Sequence, residues 1–208
     1  MNRFLSFALL LGLAMCASAD DRRQSMEARA NQGDKKPNMF PMSKGAQWEF
    51  DLNVNGMTVP VVQEMTEVTK KGDKIHATLT TKASGQNIDE EMSVDDKGVH
   101  RHSFNNIKLE TPILAIKYPV QPQKWTENIK LAGMEIEVKM EMKAAEDVTV
   151  PAGKYKNVTP VAINMTIQGQ EITATNYYAE GVGIIKQEAN FAGTKISSEL
   201  KKFTPGDK

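Results

Sequence analysis

The chain is poor in the residues that covalent and metal chemistry most often use. Among 208 residues there is one cysteine, Cys16, and there are three histidines, His76, His100 and His102. A lone cysteine excludes an internal disulfide framework and a cysteine-rich zinc site. Net charge is also missing: 26 basic residues balance 26 acidic ones. That balance leaves no electrostatic footprint for nucleic acid or for broad attraction to an anionic membrane. No glycine-rich loop opens a helix, and no serine, histidine and aspartate stand in a nucleophile-elbow context, so catalysis and a cofactor are not expected.

The N-terminal apolar run, Phe4 to Ala17, has fourteen residues, short of the roughly 20 that span a membrane as a helix. Arg3 precedes it and Ala17-Ser18-Ala19 follows, the layout of a cleaved secretory signal over residues 1–19. Leu13-Ala14-Met15-Cys16 half-matches a lipoprotein signal. Met15 is not the small residue that such a signal places before its cysteine, so lipid anchoring at Cys16 is the less favoured reading. Cleavage near Ala19 leaves 208 − 19 = 189 residues with no cysteine, enough for one domain with a core of its own. The expectation is an exported protein, periplasmic or extracellular, with no transmembrane span in the mature chain.

Residues 20–37 are polar and read as a flexible leader, with at most a short helix around Met26 to Ala30. From residue 38 to 208 the pattern predicts a single β domain. Trp48, Phe50, Leu52 and Val54 alternate with Glu49, Asp51 and Asn53, and Asn55-Gly56 then supplies a tight hairpin turn. Met134, Ile136, Val138, Met140 and Met142 alternate with Glu135, Glu137, Lys139 and Glu141, an apolar face against a charged one. Val161, Ile163, Met165 and Ile167 repeat the pattern. Between Ile107 and Trp125, Pro112, Pro119 and Pro122 interrupt the chain, which predicts a crossing loop or short helical turn there. Short joins favour an antiparallel meander, and about ten strands cannot stay flat. The fold class is therefore all-β, a strongly curved antiparallel sheet forming a half-barrel or partial barrel.

Three phrases carry a family resemblance: Phe40-Pro41-Met42-Ser43-Lys44-Gly45-Ala46-Gln47-Trp48, then Val150-Pro151-Ala152-Gly153-Lys154-Tyr155 with Asn157-Val158, and Tyr178-Ala179-Glu180-Gly181-Val182-Gly183. Over roughly Met39 to Phe203 the chain resembles secreted bacterial domains of unknown function with PAG-aromatic-x-x-V and YYA-x-GVG phrases. The resemblance implies a sheet distantly similar to the lipoprotein carriers LolA and LolB, which hold acyl chains in a half-barrel. It departs from them in showing no amphipathic helix to cover the concavity. Pro151, Gly153, Gly181 and Gly183 read as corners where the sheet bends, with a β-bulge near the last two.

Few side chains compete for a chemical role. His100 and His102 would share a strand face and could begin a metal site with His76 and one of Asp95, Asp96 or a glutamate, but an exposed strand edge is much the favoured reading and no metal is expected. Asp89, Glu90 and Glu91 read as a solvated strand in which only Asp89 and Glu91 share a face. Ten of the 12 methionines follow the signal, and thioethers on strand faces suit either gap filling or an adaptable apolar surface. If a ligand is held, the expected lining is Trp125, Ile136, Val138, Met140, Met142, Ile163 and Met165. The reading is a non-enzymatic binding protein for a hydrophobic small molecule or lipid, without nucleic acid; the alternative is an interaction or structural module for a cell-envelope protein.

Overall fold

The computed structural model describes residues 37–104, 106–131 and 133–207. The predicted signal, Cys16, and the leader and helix predicted before Pro37 lie outside the described residues. Thirteen strands follow one another: β1 (Gln47–Val54), β2 (Met57–Lys71), β3 (Lys74–Ala83), β4 (Gln86–Val94), β5 (Gly98–Phe104), β6 (Ile107–Lys117), β7 (Gln123–Leu131), β8 (Met134–Met142), β9 (Glu146–Val150), β10 (Gly153–Ile167), β11 (Gln170–Ala179), β12 (Gly183–Phe191) and β13 (Thr194–Thr204). Among the described residues there is no helix long and apolar enough to cross a membrane, a statement that bears on helices alone.

One antiparallel sheet holds them in the order β6-β5-β4-β3-β2-β1-β13-β12-β11-β10-β8-β7, with β9 beside β10. The first and last strands of the chain pair, Trp48 opposite Phe203 and Leu52 opposite Ser198, so the sheet curls round until its edges, β6 and β7, lie side by side. The expected curved sheet is present and nearly closes into a barrel. Alternation decides which face turns inward. On β8, Ile136, Val138, Met140 and Met142 are buried while Glu135, Glu137 and Lys139 are exposed, and each such side chain stabilises the fold by about 1.5–3 kcal/mol through burial. Asn55 and Gly56, at φ 50° and 88°, have the paired positive values of a two-residue hairpin turn.

The loop expected after Ile107 is instead strand β6. Proline is admitted there because β6 is an edge of the ladder order. Its register against β5 also shifts, Ser103 opposite Lys108 but Arg101 opposite Ile113, so Pro112 sits in a stretch without paired partners. Two other prolines follow the same rule. Pro60 lies just before Val61, where the β3 ladder begins, and Pro160 falls between the β9 partner Val158 and the β8 partner Val161.

β8 and β9 are successive partners of the long β10, and β9 with the first half of β10 forms a two-stranded arm. At its tip Ala152 N–H donates to Leu200 C=O of β13 at 2.8 Å. The expected bulge is present in the β11–β12 pair: Tyr177 faces Lys186 and Tyr178 faces Ile184, leaving Ile185 as the extra residue. At this end of the barrel the first and third phrases meet. Trp48 Nε1–H donates to Val182 C=O at 2.6 Å, Gly181 N–H donates to Asn38 C=O at 2.8 Å, and Tyr118 O–H donates to Pro37 C=O at 2.8 Å. Met39 and Phe40 are buried. The Phe40 ring lies 5.6 Å from that of Trp48 and against Gly183, where a Cβ would approach it to 3.3 Å. Residues 37–41 thus form a strap across one end, fastened to the predicted corner at Gly181 to Gly183 and to Tyr118.

Candidate ligand-binding face

The seven predicted lining residues share the inner face of β7, β8 and β10. Trp125, Met140 and Ile163 stand in one cross-strand row, Val138 and Met165 in the next, with Ile136 and Met142 on either side. Trp125, Ile136, Val138, Met140 and Met142 are buried in the core, whereas Ile163 and Met165 are only partly buried. Exposure grows toward the end opposite the strap, where the β1–β2, β5–β6, β7–β8, β10–β11 and β12–β13 turns lie. Val54, Met134, Ile167 and Phe191 are partly buried there, and Met57 and Ile107 are 68% and 41% exposed. Each of these six adjoins a hairpin turn, so the inner apolar surface runs out onto the hairpin rim.

At mid-height the inner face changes character. Glu90, at the middle of β4, has no exposed surface, and Arg101 of β5 donates to its Oε2 through Nη2. Burial opposes the charge on Arg101, but the charge and hydrogen bond of Glu90 outweigh it and raise the guanidinium pKa. Across the barrel, Gln187 Nε2 donates to Asn176 Oδ1 at 3.0 Å, and Asn176 Nδ2 reaches the buried Tyr178 hydroxyl at 3.5 Å. A space of about 20 Å³ is bordered by Arg101, Gln63, Gln187, Tyr178 and Phe40 among others, the room of about one water molecule. Among the described residues Glu90 Oε1 accepts no hydrogen bond. The solvated reading of the acidic triplet therefore holds for Asp89 and Glu91, and Glu90 is the exception. The signal for it was local: Glu90 stands between Ile88 and Met92 in the inward series, as Arg101 follows Val99 in its own.

Glu127 is a second inner-face carboxylate, opposite Val138 on the β7 edge. Burial pushes its pKa up, opposed by His100 and Lys117. The β6–β7 seam beside it is bridged by Trp125 Nε1–H donating to Leu114 C=O at 2.9 Å, and at its base Gln123 Nε2 donates to Pro119 C=O at 2.7 Å.

The outer face carries two further features. A groove of about 410 Å³ crosses β7, β8, β10 and β11. Lys124, Glu141 and Ala162 wall one side and Thr126, Lys139 and Asn164 the other, all on the face opposite the apolar row; Trp125, Met140 and Ile163 alternate with them as its floor. The histidines do gather, but on β3 and the interior strand β5 rather than on an edge. His76 and His102 rings lie 5.9 Å apart, His102 Nε2 is 2.7 Å from Ser93 Oγ, and His100 Nε2 is 2.9 Å from Asp95 Oδ1. Among the described residues no group of three or more histidine, cysteine or acidic side chains is arranged to hold a metal ion. Burial would raise the Asp95 pKa, but the hydrogen bonds from His100 and the Lys97 backbone, with the His100 charge and Lys74, lower it to about 2. Burial and the nearby charges of Lys74, His100 and His76 lower that of His102, against the pull of Glu91.

With this geometry the barrel can be compared with known proteins. No family model matches the chain, and no curated protein matches it. Similar solved structures include a protein assigned as exported, with a YmcC-like fold, from Bacteroides fragilis: 15% identity, TM-score 0.55, 81% of this chain and 100% of that chain covered. Another, assigned as a lipoprotein, is from Parabacteroides distasonis: 14% identity, TM-score 0.55, 82% of this chain and 100% of that one. The chain shares their fold. A likeness to the LolA and LolB carriers is not established by these comparisons.

Proposed function

We propose that this is an exported binding protein of the cell envelope that holds an apolar or lipid-like molecule against the concave face of its sheet, with no covalent step. The observation that carries this is the grading of one apolar surface, from buried at Val138 and Met140, through half-buried Ile163 and Met165, to exposed Met57 at the hairpin rim. Such a gradient gives a ligand a wet starting point and a dry destination. Binding would be driven by roughly 25 cal/mol per Å² removed from water, opposed by the ordering of a flexible ligand. Methionines at positions 65, 92, 140, 142 and 165 around the core supply side chains that can repack around a guest. The export and lipoprotein assignments of the similar structures support placement in the envelope.

A second reading rests on the seam. β6 and β7 end the ladder order, and an unpaired strand edge can accept a strand from an envelope partner. Organic extraction of protein purified from its own envelope, followed by mass spectrometry, decides between them. A stoichiometric apolar molecule is expected; repeated extraction of clean protein, with an envelope protein retained on the immobilised domain and lost on substitution at Asn128, would favour the seam instead.

A further inference from the structure

Met57 and Ile107, the two large apolar side chains that stand exposed among the described residues, both adjoin turns of the hairpin rim, one opening β2 and the other opening β6. Behind them Val54, Met134 and Ile167 are only partly covered. Neighbouring turns touch. Asn55 N–H donates to Lys195 C=O beside the β12–β13 turn at 3.3 Å, and Gln168 Nε2 donates to Met134 Sδ at 3.7 Å, which ties the β10–β11 turn to the start of β8.

The described residues of these turns carry no charge. Asn55-Gly56, Gln168-Gly169 and Ala192-Gly193 close three of the hairpins, with Asn106 and Gly133 in the other two, in a chain of which 25% is charged. At the strap end the joins hold Asp73, Asp95, Asp96, Lys97, Lys143 and Glu180, and those at residues 118–122 and 151–152 alone are neutral. Turn geometry does not account for the contrast. Gln168 and Ala192 have φ of 51° and 48°, a region that asparagine and aspartate enter more readily than other non-glycine residues. Aspartate would suit the backbone there better, yet both positions are neutral.

We propose that the hairpin rim is a docking surface for a lipid bilayer, engaged through its uncharged turns and the side chains of Met57 and Ile107, without dependence on anionic lipid. The proposal stands on the rim's own chemistry and holds whether or not the concave face carries a ligand. Bringing a charge toward the hydrocarbon boundary is costly, and the described turn residues bring none. Neutral polar turns suit the headgroup layer, while exposed apolar side chains beside them reach the acyl boundary. The first exposed charges on the outer wall are of both signs, Lys108, Lys130 and Lys195 with Glu135 and Glu171, so they select no lipid charge. They also limit depth. Lys130 and Glu135 pair across β7 and β8 at 3.5 Å, next to Met134, and the barrel therefore rests on the membrane by its rim.

The test floats the exported, processed protein with vesicles of phosphatidylcholine alone or with phosphatidylglycerol mixed in. Comparable binding to both, unchanged by salt, is expected. Met57→Ser combined with Ile107→Ser should lower the bound-to-free ratio at least about tenfold. Ala192→Asp should lower it too while leaving the urea midpoint unreduced, because aspartate tolerates that backbone; Lys97→Ser, at the far end, should leave binding as it was. Vesicles should slow amide exchange around Met57, Ile107 and Ala192 and leave it unaltered around Asp96. Binding confined to anionic vesicles and lost in salt overturns the proposal, as does undiminished binding by the double variant. Self-association that the double variant abolishes, without vesicle binding, overturns it in favour of a second copy at the rim. A stoichiometric extracted ligand with no vesicle binding overturns docking alone and leaves the binding reading intact.

Discussion

The outer histidine cluster is where single residues should be most visible in solution. The Asp95 pKa in the folded protein, about 2, lies below its ordinary value of 3.8. A lowered carboxylate contributes stability above the ordinary value and loses it as pH falls through the folded one. Asp95→Asn should therefore lower the urea midpoint at pH 7, with the two proteins converging as pH approaches 2. His102 is lowered too, from 6.5. Below pH 6.5 the unfolded chain takes up its proton more readily than the folded one, so stability falls there. His102→Gln should flatten that decline, and equal slopes for variant and wild type would refute the assignment. The face on which His76, His100 and His102 stand follows from sequence parity. Their meeting does not, because it needs β3, β4 and β5 side by side.

At the scale of elements, pattern and breaks follow different logic. Alternation identified β1, β8 and β10 because it is a local consequence of the pleat. The prolines misled at β6 because their tolerance depends on which neighbour is absent, and a strand's neighbours are not written in its own residues. Gly98 opens β5 at φ 145°, and a Cβ there would run into the backbone carbonyl of Ile116 on β6. Backbone cannot yield as a side-chain tip can. Gly98→Ala should cost more than about 3 kcal/mol, measured by chemical denaturation, and loss of slow hydrogen exchange along β5 and β6 should accompany it. A cost below about 1 kcal/mol would show that the β5–β6 register is softer than described.

For the whole molecule, closure is the decisive event. Pairing of β1 with β13 joins residues far apart in sequence, as does the bond from Trp48 to Val182. Unfolding should accordingly be one cooperative transition, since removing either chain end opens the sheet. The strap belongs to the same unit. Phe40 is buried against Trp48 and Gly183, and Phe40→Ala should cost about 3–5 kcal/mol, read as a lower denaturation midpoint with an unchanged slope. If the strap instead frays freely, the midpoint will stay in place and only the exchange of the Gly181 amide will quicken.

By itself the sequence determined the all-β class, the inward face of most strands, the tight turn at Asn55-Gly56, and the bend at Pro151 to Gly153. Each of these is decided within a few residues by sterics and by the period of two. It also contained the Glu90 anomaly, visible as an acid in an apolar series but unreadable as a pair. Only the tertiary structure decided that Arg101 would neutralise Glu90, that Phe40 would close one end, and that β6 and β7 would meet as edges. Those outcomes depend on register between distant segments, where one residue of slip exchanges the buried face for the wet one.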